Sequence, residues 1–297
     1  MLTVCGLAGQ ELATLPLEEM EEMSTVRNLK QHLGQLYGIP RFRQRLLHNG
    51  KSLEDTMALH LDMDLQVVFL HFSDSSREEA AELTAAVEHD CLAKVEEILQ
   101  RPQDPNLPDA NGNTPLTEVK SVEIATLLLE AGACKDLPSC DSKQRTALGQ
   151  AVQGGNLDIV KLLLELGADM DLSNGRGTTP LMLAAAYGQL EIASLLLQAG
   201  VNADLADDQG ITALMIAAVT GDLDIGRLLL EAGVNKDFAY PGGPTALMFA
   251  AREGQVEFVR LLLEAGATKD LTDNRGKTAA ALAVESGHVA AATLLSA

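Results

Sequence analysis

Gly276, Lys277 and Thr278 spell the end of a phosphate-binding loop, in which a lysine and a hydroxyl close a glycine-rich cradle around phosphate. The upstream glycine that such a cradle requires is Leu271. Asp169-Met170-Asp171-Leu172-Ser173-Asn174-Gly175 opens like a calcium loop with alternating oxygen ligands. Its sixth position is Asn174, where the sharp turn needs glycine, and its twelfth is Pro180, where the ion needs a bidentate glutamate. His32, His48, His60, His71, His89 and His288 have no metal-ligand spacing to one another or to cysteine. Cys5, Cys91, Cys134 and Cys140 contain no C-x-x-C pair and read as reduced thiols, with Cys134 and Cys140 the two to watch for redox or metal work. No nucleophile elbow is present. These residues predict no enzyme, no metal and no cofactor, and leave recognition by a surface as the chemistry to explain.

The elements behind that surface announce themselves by period. Threonine recurs at 146, 179, 212, 245 and 278, glycine at 155, 188, 221, 254 and 287, each step being 33 residues. A further glycine series, 167, 200, 233 and 266, follows a leucine triplet every time. One supersecondary unit is copied in tandem. In Thr179-Pro180-Leu181 through Gly188 the threonine can cap a short helix, proline suits its first turn, and glycine ends it. A second helix follows in Gln189 to Gly200 with apolar residues at helical spacing. Val201 to Ile211 is then polar and extended, with a turn at Asp207-Asp208-Gln209-Gly210.

These residues resemble ankyrin repeats, whose pattern is Thr-Pro-Leu, then Ala-Ala-x-x-Gly, then Leu-Leu-Leu-x-x-Gly-Ala. Full copies run over 146–178, 179–211, 212–244 and 245–277, with a shortened copy at 278–297. Thr114-Pro115-Leu116 to Gly132 is a copy lacking three residues between its helices and carrying two extra in the following turn, and Leu83 to Leu99 fits a degenerate first copy. About seven units result. The histidine that the family places after Thr-Pro-Leu, which ties neighbouring loops, is here Gly149, Met182, Met215, Met248 and Ala281. Methionine fills a core well, so the departure touches the stiffness of the loops and not the fold.

Residues 1–72 carry no echo of the period. Leu2 to Leu7 and Glu11 to Leu17 read as a hairpin turning at Ala8-Gly9-Gln10. A helix follows, capped by Ser24 or Thr25, with Val26, Leu29, Leu33 and Leu36 on one face and Gly38 as its stop. Gln44 to Leu47 and Leu65 to Phe72 read as strands, with Asn49-Gly50 a turn between them. Gly38-Ile39-Pro40, Gln44-Arg45-Leu46, Gly50-Lys51 and Leu53-Glu54-Asp55 stand in the order and spacing of ubiquitin, and the stretch resembles a ubiquitin-like domain. Its last strand continues through Phe72 into Ser73-Asp74-Ser75-Ser76-Arg77 in place of a free Gly-Gly tail, so the resemblance does not extend to a conjugated tag. What it does imply is an apolar recognition patch at Leu47 and Gly50, joined by Val68 or Leu70 of the last strand.

The expected fold is thus an α+β ubiquitin-like (β-grasp) domain at 1–72, a polar linker at 73–79, and an all-α ankyrin-repeat solenoid with short β-hairpin fingers at 80–297. The linker is free of apolar anchors, and the two parts are expected to be loosely coupled. Of the 22 Lys+Arg and 42 Asp+Glu in the chain, residues 1–72 hold 6 and 9, so most of the net charge of −20 lies in the repeats. Such a surface repels nucleic acid and anionic membranes and, if it steers anything, steers basic proteins. No apolar run reaches the ~18 residues of a membrane span, and with no secretion signal at the N-terminus a cytoplasmic location is expected, the nucleus being the other compartment. The expected function is a non-enzymatic adaptor whose repeats grip a protein target while the ubiquitin-like domain docks onto ubiquitin-binding proteins. A scaffold or inhibitor with no ubiquitin link is the alternative. The resemblance to ankyrin repeats implies a partner groove lined by the fingers and first-helix ends, and the residues varying there between copies are Gln153, Tyr187, Thr220 and Arg252 at first-helix ends, and Ser173, Arg176, Asp207, Phe238, Tyr240 and Arg275 in the fingers.

Overall fold

The computed structural model describes residues 2–6, 11–15, 24–60, 63–71, 77–101, 103–239 and 243–296. The turn expected at Ala8-Gly9-Gln10, most of the linker, Tyr240 and Phe72 lie outside these. Contacts divide the chain into two units, Met1–Cys140 and Asp141–Ala297.

In the first unit, strands β1 (Leu2–Gly6), β2 (Glu11–Leu15), β3 (Gln44–His48), β4 (Lys51–Ser52) and β5 (Leu65–Phe69) form one mixed sheet in the order β2-β1-β5-β3-β4. β1 runs parallel to β5, and the other pairs are antiparallel. Helix α1 (Val26–Tyr37) lies over the sheet. Thr25 is its cap, accepting the Asn28 N–H at 3.3 Å, and Gly38 ends it with φ 66°. Val26, Leu29 and Leu33 pack with Val4, Leu46, Leu53, Leu59, Leu65 and Val67 into the core. Leu36, expected on the same face, is 57% exposed instead. It sits in the last turn, at the rim of the buried arc.

Helices α2 (Arg77–Glu88) and α3 (Leu92–Leu99) form the first repeat. The second has helix α4 (Val122–Glu130), but its first helix is reduced to a 3-10 turn, Pro115–Glu118. The three residues missing from this copy account for the loss, since Val119 is already extended at ψ 142°. α2 also begins at Arg77, inside the expected linker.

In the second unit, α5 (Ala147–Gln153) pairs with α6 (Leu157–Glu165), α7 (Pro180–Ala186) with α8 (Leu190–Ala199), α9 (Ala213–Thr220) with α10 (Leu223–Glu231), α11 (Ala246–Arg252) with α12 (Val256–Glu264), and α13 (Ala279–Glu285) with α14 (Val289–Ser296). First helices stack on first helices and second on second. The periodic threonines are the caps: the Oγ1 of Thr146, Thr179, Thr212, Thr245 and Thr278 accepts the N–H three residues on, at 3.0–3.4 Å. Where the family has histidine, Met182, Met215 and Met248 are buried and offer that N–H.

The fingers are tight turns closed by a side chain. Asn174 Oδ1 accepts the N–H groups of Arg176 and Thr178 at 2.9 and 3.1 Å, and Asp207 and Asp273 repeat the arrangement. Backbone bonds join adjacent fingers, from Gly175 N–H to Lys143 O and from Asp208 N–H to Arg176 O. A second carboxylate column ties repeat to repeat: Asp171, Asp204 and Asp237 accept the backbone N–H groups of Asn202, Asn235 and Thr268 at 2.7–2.9 Å. These ties supply the loop stiffness that the missing histidines would have given.

Gly226 shows how closely the second helices fit. A Cβ there would lie 2.5 Å from Phe258 Cε2 on the next repeat. The columns explain it: Phe258 stands where earlier copies have Ile159, Ile192 and Ile225, and Gly226 stands where others have Val160, Ala193 and Val259. The larger ring is accommodated by the missing side chain. Gly226→Val should therefore cost about 1–3 kcal/mol by overpacking, and adding Phe258→Ile should recover most of it in chemical denaturation. Equal stability of the single and double variants would show that the ring does not set the fit.

Candidate functional site

Two exposed surfaces carry the residues singled out by sequence. On the sheet, β3 and β5 pair Gln44 with Phe69, Arg45 with Val68, Leu46 with Val67 and Leu47 with Gln66. Because paired residues share a face and successive ones alternate, Leu46 and Val67 point to the core while Arg45, Leu47, Gln66 and Val68 form the face opposite α1. Leu47 and Val68 are diagonal neighbours there, both half-buried. Asn49 and Gly50 make the adjoining turn with φ 51° and 76°, and Gly50 is exposed. Leu70 lies beyond the strand. Its N–H donates to Arg43 O at 2.7 Å, its carbonyl accepts from Arg43 Nε at 2.9 Å, and it lines a cleft of about 670 Å³ with Arg45, Ser52, Glu54, Glu96 and Gln100. Val68 is thus the diagonal neighbour of Leu47, and Leu70 follows two residues on, at the edge of that cleft.

On the second unit, the row of first helices presents Tyr187, Thr220 and Arg252 at successive helix ends, all exposed. The Tyr187 hydroxyl accepts from Gln153 Nε2 at 3.0 Å, joining two of the expected groove residues. Thr220 turns its hydroxyl back onto its own helix, to Ile216 O and Ala217 O at 3.2 Å. Arg252 stacks its guanidinium 4.9 Å from the centroid of Phe249 and donates to Glu253 at 3.0 Å. Phe238 is half-buried in its finger; its expected companion Tyr240 lies outside the described residues.

Arg252 belongs to a cleft of about 410 Å³ lined by Phe249, Asp273, Arg275, Leu282 and Glu285. The backbone hydrogen bond from Lys277, helped by that from Arg275 and by both residues' charges, outweighs burial and holds the Asp273 carboxyl below its usual range, so it stays ionised beside Arg275. The cleft offers an aromatic floor with both signs of charge at its rim. Sequence reasoning named Arg252 and Arg275 but missed Phe249, Asp273, Leu282 and Glu285. Phe249 was detectable as the aromatic in a column otherwise Gln150, Leu183, Ile216 and Leu282.

The residues that mimicked other chemistry serve the framework. Lys277 Nζ pairs with Glu285 and Thr278 caps α13, while Asp171 and Asn174 of the calcium-like stretch accept backbone N–H groups. Cys91, Cys134 and Cys140 are exposed free thiols and Cys5 is half-buried. Among the described residues no helix is long and apolar enough to cross a membrane.

A small β-grasp domain ahead of stacked helix pairs, with open faces of mixed chemistry, defines a protein-interaction protein. The chain belongs to the ankyrin-repeat family: the description "Ankyrin repeats (3 copies)" matches residues 83–174, 166–240 and 233–297, and the Ubiquitin family matches residues 5–69. Human SH3 and multiple ankyrin repeat domains protein 2 is 30% identical over 172 residues, 54% of this chain and 8% of that protein. Human ankyrin repeat domain-containing protein 63 is 43% identical over 60 residues, 20% of this chain and 15% of that protein. The Notch-regulated ankyrin repeat-containing protein of Xenopus laevis is 40% identical over 76 residues, 25% of this chain and 60% of its own length.

Proposed function

We propose that the chain is a non-enzymatic adaptor of the cytoplasm or nucleus. Its repeats hold a protein target along the row of first helices and fingers, and its ubiquitin-like domain docks onto ubiquitin-binding proteins. The observation that supports this best is the sheet face, where Leu47 and Val68 adjoin beside exposed Gly50 while α1 covers the opposite face. An aliphatic pair ringed by Arg45 and Gln66 suits a small apolar patch on a partner, with polar contacts at the rim. In the repeats, the excess of acidic residues favours a basic target, and disfavours nucleic acid and anionic membranes. The cleft at Phe249 and Arg252 would take an aliphatic or aromatic anchor flanked by charge.

Full-length protein immobilised in lysate is expected to capture ubiquitin receptors in a manner that free ubiquitin competes away. Leu47→Asp should lower that capture at least about tenfold, since it places a charge at the centre of an apolar contact. Capture that is equal for both proteins and indifferent to free ubiquitin would favour the scaffold without a ubiquitin link.

A further inference from the structure

One side of α1, on the face of the ubiquitin-like domain opposite its open sheet, is already occupied. Arg27 of α1 reaches Glu96 of α3 at 2.6 Å, and Gln31 of α1 bonds Glu130 of α4. Pro40 packs on Gly132, where a Cβ would lie 2.7 Å from Pro40 Cγ. Arg41 is the centre of this contact. Its side chain is 1% exposed, it pairs with Asp55 of its own domain and, at 2.6 Å, with Glu130 of the second repeat, and its guanidinium lies 3.9 Å from the Phe42 ring centroid. Lys30, also buried, pairs with the other oxygen of Asp55 at 2.7 Å. The chain of charges Lys30–Asp55–Arg41–Glu130 therefore begins on α1 and ends on the repeats.

We infer that the ubiquitin-like domain and the first two repeats are one mechanical body, locked by Arg41 between Asp55 and Glu130, so that the domain offers partners its sheet face and withholds the side of α1 that carries Arg27 and Gln31. A buried ion chain gains little over apolar packing, but it is costly to satisfy in any other arrangement and so specifies orientation. A partner could reach Arg27 and Gln31 on α1 only by displacing α3 and α4. This holds whatever the sheet face binds.

Hydrogen exchange on the full-length protein tests it. Glu130→Gln, a change on the repeats, should lower protection of the Leu29 and Leu33 amides in α1 about tenfold, and Glu130→Lys should lower it further. Arg41→Met should lower it too, and Glu130→Gln should add almost nothing in the Arg41→Met background. Unchanged α1 protection in both Glu130 variants, or independent effects of Arg41 and Glu130, would overturn the lock. If Arg41→Met does not fold, the two Glu130 variants decide the matter alone.

Discussion

Leu229→Asp is expected to break the melting of residues 141–297 into two transitions. Leu229 is fully buried on α10, where second helices α8 and α12 and first helix α9 meet it. Burial of such a leucine contributes about 1.5–3 kcal/mol, and aspartate adds the cost of a polar group without a partner, bringing the loss to about 4 kcal/mol or more. In a stack where each repeat contacts only its neighbours, that loss falls on two interfaces at the middle of the unit. The copies on either side keep their own contacts. Calorimetry of full-length protein should show the separation, and hydrogen exchange should assign the early step to α9 and α10. A single transition at unchanged temperature would mean that the leucine triplets do not carry the coupling between repeats.

Asp55→Ala should be the most damaging single change in the first unit. It leaves Lys30 and Arg41 buried with their shared carboxylate gone, a loss of about 3–5 kcal/mol. The same group makes the unit acid-sensitive. Burial pushes the Asp55 carboxyl upward, but the hydrogen bond and charge of Lys30 and then of Arg41 outweigh it and hold the group below its ordinary 3.8. A folded value below the unfolded one means that the carboxylate's contribution is complete above about pH 4 and is lost as pH falls through the folded value. Exchange-derived stability of β3 and β5 should therefore decline below pH 4 in the natural protein, while Asp55→Asn, weaker throughout, should lose that part of the slope. An identical acid profile in both would remove Asp55 from the cause.

The threonine caps, the glycine stops and the apolar spacing of the second helices are local rules, and each appeared where the period put it. The β-grasp words Gly38-Ile39-Pro40 and Gln44-Arg45-Leu46 were equally legible. Leu36 is exposed although it shares the apolar stripe, because periodicity assigns a face without recording which rim positions the neighbouring elements cover. The carboxylate column Asp171, Asp204, Asp237 stands at the 33-residue step, but its function is not legible there, since the N–H groups it accepts lie some 31 residues away. Tyr187 and Gln153 both stand out by their variation between copies, and only the stacking of α5 on α7 shows that Gln153 reaches the Tyr187 hydroxyl.

The linker carried the largest surprise. A short polar segment without apolar anchors predicts loose coupling, yet the contact is made by Arg27, Gln31, Pro40 and Arg41 meeting Glu96, Glu130 and Gly132, none of which is in the segment. By itself the sequence determined the class of each part, because helix caps, turn residues and a repeated apolar period act over a few residues. Tertiary structure alone decided which charges pair, which faces stay open, and that α1 leans on the repeats. Those outcomes depend on side chains brought together across tens of residues of chain, and no local pattern records them.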